Sequence, residues 1–386
     1  MSFRILVLTS STGSGHDMRA KAFADWMETL YGNASEVHIE QIIENGSLLG
    51  RFGVWIYNTI QSYLPILHNL YFFIVEAFIF SHSGSVSFGG KYYRKLLKDF
   101  QPDLVFSVHD STNRGYFEDA RRILGEKVRC GTYCGEFSGG YGYSRNWVNT
   151  SADFFIARTS AAAEHAIRLG MPADRVSVFH KFLPPDAFKD PLSDEAKSAS
   201  LQKLAFSEDR FTLFLATGGF GANHHLTYLD QLLSIADRLQ VIVVCGRNEK
   251  IFKQVNEWSD THPELRMHVE GYSRRMAEYL QLSNAVVTRG GANTTTEALH
   301  FGCPILYDSL GGIMPQEHCT VRYFVERGAA RVLRKASDLH GILSGWSQFD
   351  AEYEQIRTQL SGLHAEEDPK DLIAGILGED TSIVPN

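Results

Sequence analysis

The chain has no surplus of positive charge. Its 37 Lys and Arg stand against 45 Asp and Glu, a formal net charge of −8. Nothing is left over to neutralise a run of phosphates, which argues against nucleic acid as a partner. Cysteine is scarce, with five residues. Only Cys130 and Cys134 lie close together, at a spacing unlike a zinc or redox motif. An odd, scattered set fits reduced thiols in a cytosolic protein. Met-Ser-Phe-Arg leads straight into an apolar strand, so no signal peptide is expected and the protein should face the cytoplasm. No Asp-x-Asp metal motif occurs anywhere in the chain. There is also no Gly-Lys-Ser/Thr of a P-loop, and Gly13-Ser14-Gly15 has Met18 where a dinucleotide fingerprint needs its third glycine.

What is present is an ordinary globular composition, with 44% hydrophobic and 21% charged residues over 386 positions. That length suits about two domains. Arg4 to Leu8 reads as a first buried strand. A glycine loop follows it, then a helix with Ala20, Phe23, Trp26, Met27 and Leu30 on one face. His16 sits where that loop meets the helix, at the C-terminal edge of a parallel sheet, where ligands bind. Pro102 to Asp110 is a strand ending in the pair His109-Asp110. Val128 to Cys134 is the next, leading to Glu136 and the loop Ser138 to Gly142. Phe154 to Ala157 and Val176 to Phe179 are further strands, with a helix from Ser160 to Leu169 between them. This alternation predicts an α/β sheet.

From Phe52 to Phe80 the composition turns apolar and aromatic. Phe52, Trp55, Ile56, Ile60 and Tyr63 fall at helical spacing. Leu67 to Phe80 is apolar nearly all round, interrupted by His68, Asn69 and Glu76. A spanning helix needs ~20 apolar residues. This run is shorter and carries a carboxylate, so it suits either a core helix or an element lying on a membrane surface. Lys91, Arg94, Lys95 and Lys98 follow, a basic cluster suited to anionic headgroups or simply a solvated helix face.

After a proline-rich, charged linker at 186–210 the pattern restarts. Phe211 to Ala216 is a strand feeding the glycine loop Thr217 to Asn223, which contains Gly218, Gly219 and Gly221. Val241 to Cys245, Met267 to Val269, Ala285 to Thr288 and Pro304 to Tyr307 supply more strands. The segment from Asp350 reads as a charged, helical tail. Two Rossmann-like halves, 1–185 and 211–349, are expected to face each other across a cleft.

The stretch Asn284 to His300 concentrates the chemistry. Ala285 to Val287 form a buried strand, Gly290 and Gly291 permit a tight turn, and Asn293 to Thr296 offer groups that cap a helix. A strand, glycine turn and helix N-terminus together make an anion site, to which Arg289 adds a full charge. Glu297, about one turn inside the helix, can accept two hydrogen bonds from a ribose diol. The stretch predicts a nucleotide-diphosphate site; the alternative is a capped turn with no ligand.

Several motifs in order carry a family resemblance from Ile5 to about Leu339. They are Gly13-Ser14-Gly15-His16, Ser107-Val108-His109, Gly218-Gly219-Phe220-Gly221, Val244 to Asn248, Gly271-Tyr272, Thr288 to Leu299 and Pro315-Gln316-Glu317. Together they resemble the GT-B glycosyltransferases that include monogalactosyldiacylglycerol synthases, processive diacylglycerol glucosyltransferases and, more distantly, the peptidoglycan N-acetylglucosaminyltransferase. The chain departs from the pattern in three places. Ala292-Asn293 replaces the usual Gly-Leu or Pro-Gly, the usual Pro-Gly-Gln-Glu has lost its glycine, and Gly311-Gly312 lengthens the loop ahead of it. Glu136 stands near the family's usual Thr-Asp.

The resemblance implies an inverting transfer of a hexose from a UDP-sugar to a membrane lipid hydroxyl, giving a β-glycolipid. The partners implied are UDP-glucose or UDP-galactose, diacylglycerol or a related lipid, and an anionic membrane surface. No metal or other cofactor is required, and a peripheral position on the cytoplasmic face is implied, with 52–80 docking on the bilayer. The tail 350–386 is expected to pack back on the N-terminal domain. Donor contacts fall to Gly218, Gly219, Gly221, Arg247, Arg289, Gly290, Gly291, Asn293, Thr294 and Glu297, with Gln316 and Glu317 on the sugar. Gly13, Gly15 and Asp110 belong to the acceptor loop. His16 is the first candidate for the acceptor-side catalytic group, because an imidazole titrates near neutral pH. His109, Asp110 and Glu136 stand in reserve. A soluble or peptidoglycan-type acceptor, a nucleotide-sugar epimerase, and a non-catalytic nucleotide-sugar sensor at the membrane surface are the competing functions.

Overall fold

The computed structural model describes residues 2–12, 15–63, 68–81, 86, 88–189, 191–216 and 224–378, the side chains at 61–63, 68, 71, 80 and 81 apart. The chain divides into two compact units. The first comprises Met1–Asp186, Met314–Cys319 and Ala365–Asn386, and the second Ala187–Ile313 and Thr320–His364.

The first unit is built on β1 (Phe3–Thr9), β2 (Ser35–Gln41), β3 (Leu104–Ser107), β4 (Arg129–Tyr133), β5 (Phe154–Ala157) and β6 (Val176–Val178). They form one parallel sheet in the order β2-β1-β3-β4-β5-β6. The second unit repeats the plan with β7 (Phe211–Ala216), β8 (Leu239–Val244), β9 (Arg266–Glu270), β10 (Ala285–Thr288), β11 (Ile305–Asp308) and β12 (Ala330–Leu333). Its order is β12-β11-β10-β7-β8-β9, again parallel throughout. Central strands such as β3, β7 and β10 are buried along their whole length. Continuous apolar runs of this kind suit a sheet covered by helices on both faces.

Two strands escaped the sequence reading, and both are edge strands. β2, Ser-Glu-Val-His-Ile-Glu-Gln, has only Glu40 buried, and β12 has a half-buried middle. An edge needs no continuous apolar run, so neither announces itself by hydrophobicity. The stretch 186–210 is also more structured than a linker. It holds the helix Asp194–Lys203, capped by the Ser193 hydroxyl, which accepts from the Ala196 N–H at 3.2 Å. Beyond Asp350 lie the helices Ala351–Ser361 and Pro369–Leu377. The latter packs on the first unit beside Gly15–Tyr31, where Arg129 donates to the Gly375 carbonyl at 2.9 Å.

The topology locates a site in each sheet. Chain order reverses between β1 and β3 in the first and between β7 and β10 in the second. At such a reversal the loops leave the strand ends in opposite directions and open a crevice at the carboxyl edge.

The aromatic segment forms the helices Leu48–Tyr63 and His68–Ser81. Of its two sequence-level alternatives, the buried core helix is excluded. Leu48, Leu49, Phe52, Trp55, Leu70, Phe73, Ile74 and Phe78 are exposed, Trp55 at 60%. The polar interruptions are what tie these helices to the unit. Asn69 accepts from the Tyr141 hydroxyl at 2.8 Å, and Glu76 accepts from the Arg145 N–H at 3.0 Å. Among the described residues, no helix is long and apolar enough to cross a membrane.

Candidate functional site

At the reversal in the first sheet, β1 delivers His16, β3 delivers His109 and Asp110, and β4 delivers Glu136. Gly13 lies outside the described residues; Gly15 opens the helix Gly15–Tyr31. The rings of His16 and His109 stand 4.1 Å apart. The Val108 carbonyl and an Arg19 Nη2 both meet Nδ1 of His16, at 2.8 and 2.7 Å. Nε2 is therefore the nitrogen left to meet a ligand. His109 has no such free side. Its Nε2 is 2.7 Å from the Thr12 hydroxyl, and its Nδ1 lies 3.0 Å from both the Ser111 nitrogen and an Asp110 oxygen.

The charges in this cluster push one another apart in titration. Burial, then the charges of His109 and Arg19, hold His16 well below the usual imidazole range. Burial acts to raise Asp110, but the hydrogen bond from His109 and the charges of both histidines overcome it and hold the carboxyl low. Burial pushes Glu136 up to about 7, helped by Asp110 and opposed by Arg19 and a hydrogen bond from Trp147. At neutral pH the edge thus carries a neutral imidazole, an ionised aspartate and a half-ionised glutamate. Of these only Glu136 titrates near neutrality, as a group that moves a proton should. His16, expected to titrate there as an ordinary imidazole, is held below that range by burial and neighbouring positive charge.

The sequence reading missed Arg19, the cation of this cluster. It lies three residues after His16 on the same helical face, and its guanidinium is almost wholly buried. Gly135 makes the room: a Cβ there would stand 2.6 Å from Arg19 Nη1. The i, i+3 spacing was legible, but its inward direction was not.

Gln316 and Glu317 also fall in the first unit. The Ser138-to-Gly142 loop clasps them, with Ser138 donating to the Cys319 carbonyl at 2.8 Å. Gly142 has φ +90°, and a Cβ there would come within 1.7 Å of the Pro315 carbonyl oxygen. The Gln316 amide donates to the Tyr57 hydroxyl at 2.5 Å. The Glu317 carboxylate accepts from the Met314 N–H at 3.0 Å, closing the turn before its own helix.

At the reversal in the second sheet the polar groups are arranged differently. Gly218, Gly219 and Gly221 lie outside the described residues. β10 ends at Thr288, Arg289 and Gly290 follow, and Gly291 is the N-cap of the helix Ala292–His300. Two expectations are corrected here. No side chain caps this helix: Asn293 and Thr294 lie in its first turn, Thr295 turns to the Tyr307 hydroxyl at 3.3 Å, and Thr296 donates back to the Ala292 carbonyl at 2.6 Å. Nor does the turn demand glycine. Neither Gly290 nor Gly291 has a positive φ, and a Cβ on Gly291 would meet nothing within 4 Å. The capping side chains were expected because Asn and Thr favour that role. Here they begin two residues past the N-cap, so the helix dipole is presented without them.

The Glu297 side chain is half-buried and forms no hydrogen bond or ion pair with any described residue. Burial alone raises its pKa to about 7. Arg247, at the end of β8, is exposed and stacks over the Tyr272 ring at 5.1 Å. A half-buried carboxylate without a donor and a helix N-terminus without a cap together leave room for a ligand offering hydroxyls and negative charge. Among the described residues, no group of three or more His, Cys, Asp or Glu could hold a metal ion.

Two Rossmann-like domains, each with a polar edge at its chain reversal, define the GT-B class. Residues 215–340 match the glycosyltransferase family 28 C-terminal domain. The processive diacylglycerol beta-glucosyltransferase of Bacillus pumilus is 21% identical over 99% of this chain and 97% of its own. MurG of Acinetobacter baumannii superimposes with a TM-score of 0.62 at 13% identity, over 97% of this chain and 99% of MurG. HepE of Anabaena, solved in complex with UDP and glucose, gives 0.52 at 13% identity, over 99% of this chain and 97% of HepE. The chain has the GT-B fold, and its second unit resembles the C-terminal domain of glycosyltransferase family 28.

Proposed function

We propose that the chain is an inverting hexosyltransferase, moving a sugar from a UDP-hexose to the free hydroxyl of diacylglycerol. The observation that carries this reading is Glu297, a half-buried carboxylate with no donor among the described residues. A ribose diol supplies two donors to such a group, and ionisation follows when they arrive. Arg289 and the N–H groups that open Ala292–His300 then meet the diphosphate. Gly290 and Gly291 let it approach the backbone.

On the acceptor side, Nε2 of His16 takes the hydroxyl proton. The oxygen attacks the anomeric carbon opposite the departing diphosphate, so configuration inverts and a β-glycoside results. The bond to the diphosphate breaks with its electron pair on the phosphate oxygen, where backbone donors and Arg289 stabilise it. Asp110, held ionised, balances the His16 imidazolium as it forms. Glu136 is the alternative proton acceptor, since its pKa lies near neutrality.

The exposed face of Phe52, Trp55, Leu70, Phe73 and Ile74 supports a lipid acceptor and a peripheral position on the cytoplasmic leaflet. Lys91, Lys95 and Lys98 project from the neighbouring helix Gly90–Phe100 toward solvent and suit anionic headgroups, while Arg94 pairs with Asp119 at 2.8 Å. The likeness to diacylglycerol glucosyltransferases over nearly the whole chain supports glucose as the sugar. The test is a donor screen, radiolabelled UDP-glucose against UDP-galactose, with diacylglycerol vesicles as acceptor. Labelled glycolipid from UDP-glucose is expected. UDP binding with no transfer to any lipid would leave a sensor, and transfer only to a soluble acceptor would remove the lipid assignment.

A further inference from the structure

The second sheet edge holds a pair of residues that no motif announced. Asp308 ends β11, and its carboxylate is almost fully buried, with 3% of its side chain exposed. It accepts from the Tyr228 hydroxyl at 2.6 Å and the Leu310 N–H at 3.0 Å, and lies 2.9 Å from Nδ1 of His224. His224 is 27% exposed, and its Nε2 has no hydrogen bond among the described residues. β10 lies between β11 and β7 in the sheet. The pair therefore joins the strand on one side of β10 to the chain following the strand on its other side, at the edge where β10 delivers Arg289.

The lengthened loop fits this pair. A Cβ on Gly311 would come within 3.2 Å of the His224 ring at Cε1, and Gly312 turns the chain at φ +84°. The two glycines that depart from the family pattern are thus the residues that let the loop pass the imidazole.

We infer that His224, oriented by Asp308, is a further donor-site residue, presenting an Nε2–H to the phosphate oxygens of a nucleoside diphosphate. This rests on the donor reading of Glu297 and adds a group to it. Nδ1–H donates to the Asp308 carboxylate, and the doubly protonated ring donates at Nε2 to an anion. When the anomeric bond breaks, its electron pair goes to the phosphate oxygen, and that oxygen takes the Nε2 proton. Neutral His224 remains on Asp308 and regains a proton from solvent after the nucleotide leaves. His224 touches the reacting group; Asp308 is a positioning residue.

Calorimetry with UDP and with uridine, on the wild type, His224→Gln and Glu297→Ala, tests the inference. His224→Gln is expected to weaken UDP about tenfold and uridine less than about twofold, because uridine carries no phosphate. Equal losses for both ligands, or no loss of UDP affinity, would overturn it. UDP bound through Glu297 but indifferent to His224 sinks this inference alone. A wild-type chain that binds neither ligand sinks the donor reading with it. Proton spectra of ¹⁵N-histidine-labelled protein test Asp308: a downfield Nδ1 proton lost in Asp308→Asn but kept in Tyr228→Phe supports positioning, and one kept in both refutes it.

Discussion

The two sheet edges show the same topology used in opposite ways. In the first unit the polar groups are spent on one another. His109 is bonded at both nitrogens, Asp110 is held low by histidines, and Arg19 is buried over Gly135. In the second unit Glu297 has no donor among the described residues, the helix Ala292–His300 has no side-chain cap, and the space beside Gly291 is open. A compensated cluster fixes protonation states before substrate arrives. An uncompensated one draws its binding energy from the partner the ligand brings. The difference supports the proposed division, with proton transfer at the first edge and ligand capture at the second.

The largest effect expected from that division is on turnover. His16→Ala should lower kcat by about 10²- to 10⁴-fold with UDP affinity unchanged, measured by single-turnover kinetics beside calorimetry. A parallel loss of UDP affinity would break the division.

Glu297 sharpens it from the other side. Glu297→Ala should weaken UDP by roughly ten- to a hundredfold, the value of hydrogen bonds to a charged group. Its pH signature follows from a folded pKa of about 7 against an ordinary 4.5. The folded chain holds this proton more tightly than the unfolded one. That contribution to stability is fully present below about 4.5 and is lost as pH rises through 7, with a rough ceiling of ~3 kcal/mol. Urea melts of Glu297→Gln without ligand should therefore fall less between pH 4.5 and 8 than those of the wild type. UDP, which needs the carboxylate, should bind more tightly above pH 7 than below it.

The apolar face gives a smaller effect. Phe52 and Trp55 stack 5.6 Å apart in solvent. Replacing both with Ser should cut flotation with anionic vesicles about tenfold or more and leave UDP binding alone. Flotation at the wild-type level would remove the membrane role of Leu48–Tyr63. Smallest is Gly291→Ala. With negative φ and open space, it should fold with stability within ~0.5 kcal/mol of wild type yet bind UDP a few-fold more weakly. Unchanged affinity would place the diphosphate elsewhere.

Much of this was legible in the chain. β5, β7 and β10 fall at the residues their apolar runs mark, because a strand buried on both faces needs such a run. His16, His109, Asp110 and Glu136 each follow a strand, so their gathering required only that the strands be neighbours. Of the four edge strands, β6 and β9 were legible in Val176 to Phe179 and Met267 to Val269, while β2 and β12 were not, since a half-exposed strand needs no apolar pattern. The cap at Gly291 was misread because Asn and Thr propensities do not say which residue ends the turn.

By itself, the order of apolar runs and glycine loops determined two parallel sheets and the strand ends that bear chemistry. Those features depend on neighbours along the chain, which a sequence displays. Only the tertiary structure decided which polar groups find partners. Arg19 meets Gly135 across more than a hundred residues, and Asp308 reaches His224 across 84, while the Glu297 carboxylate meets no partner among the described residues. A carboxylate's pKa and its readiness for a ligand follow from what surrounds it in space, and distant segments supply those surroundings only once the sheets have formed.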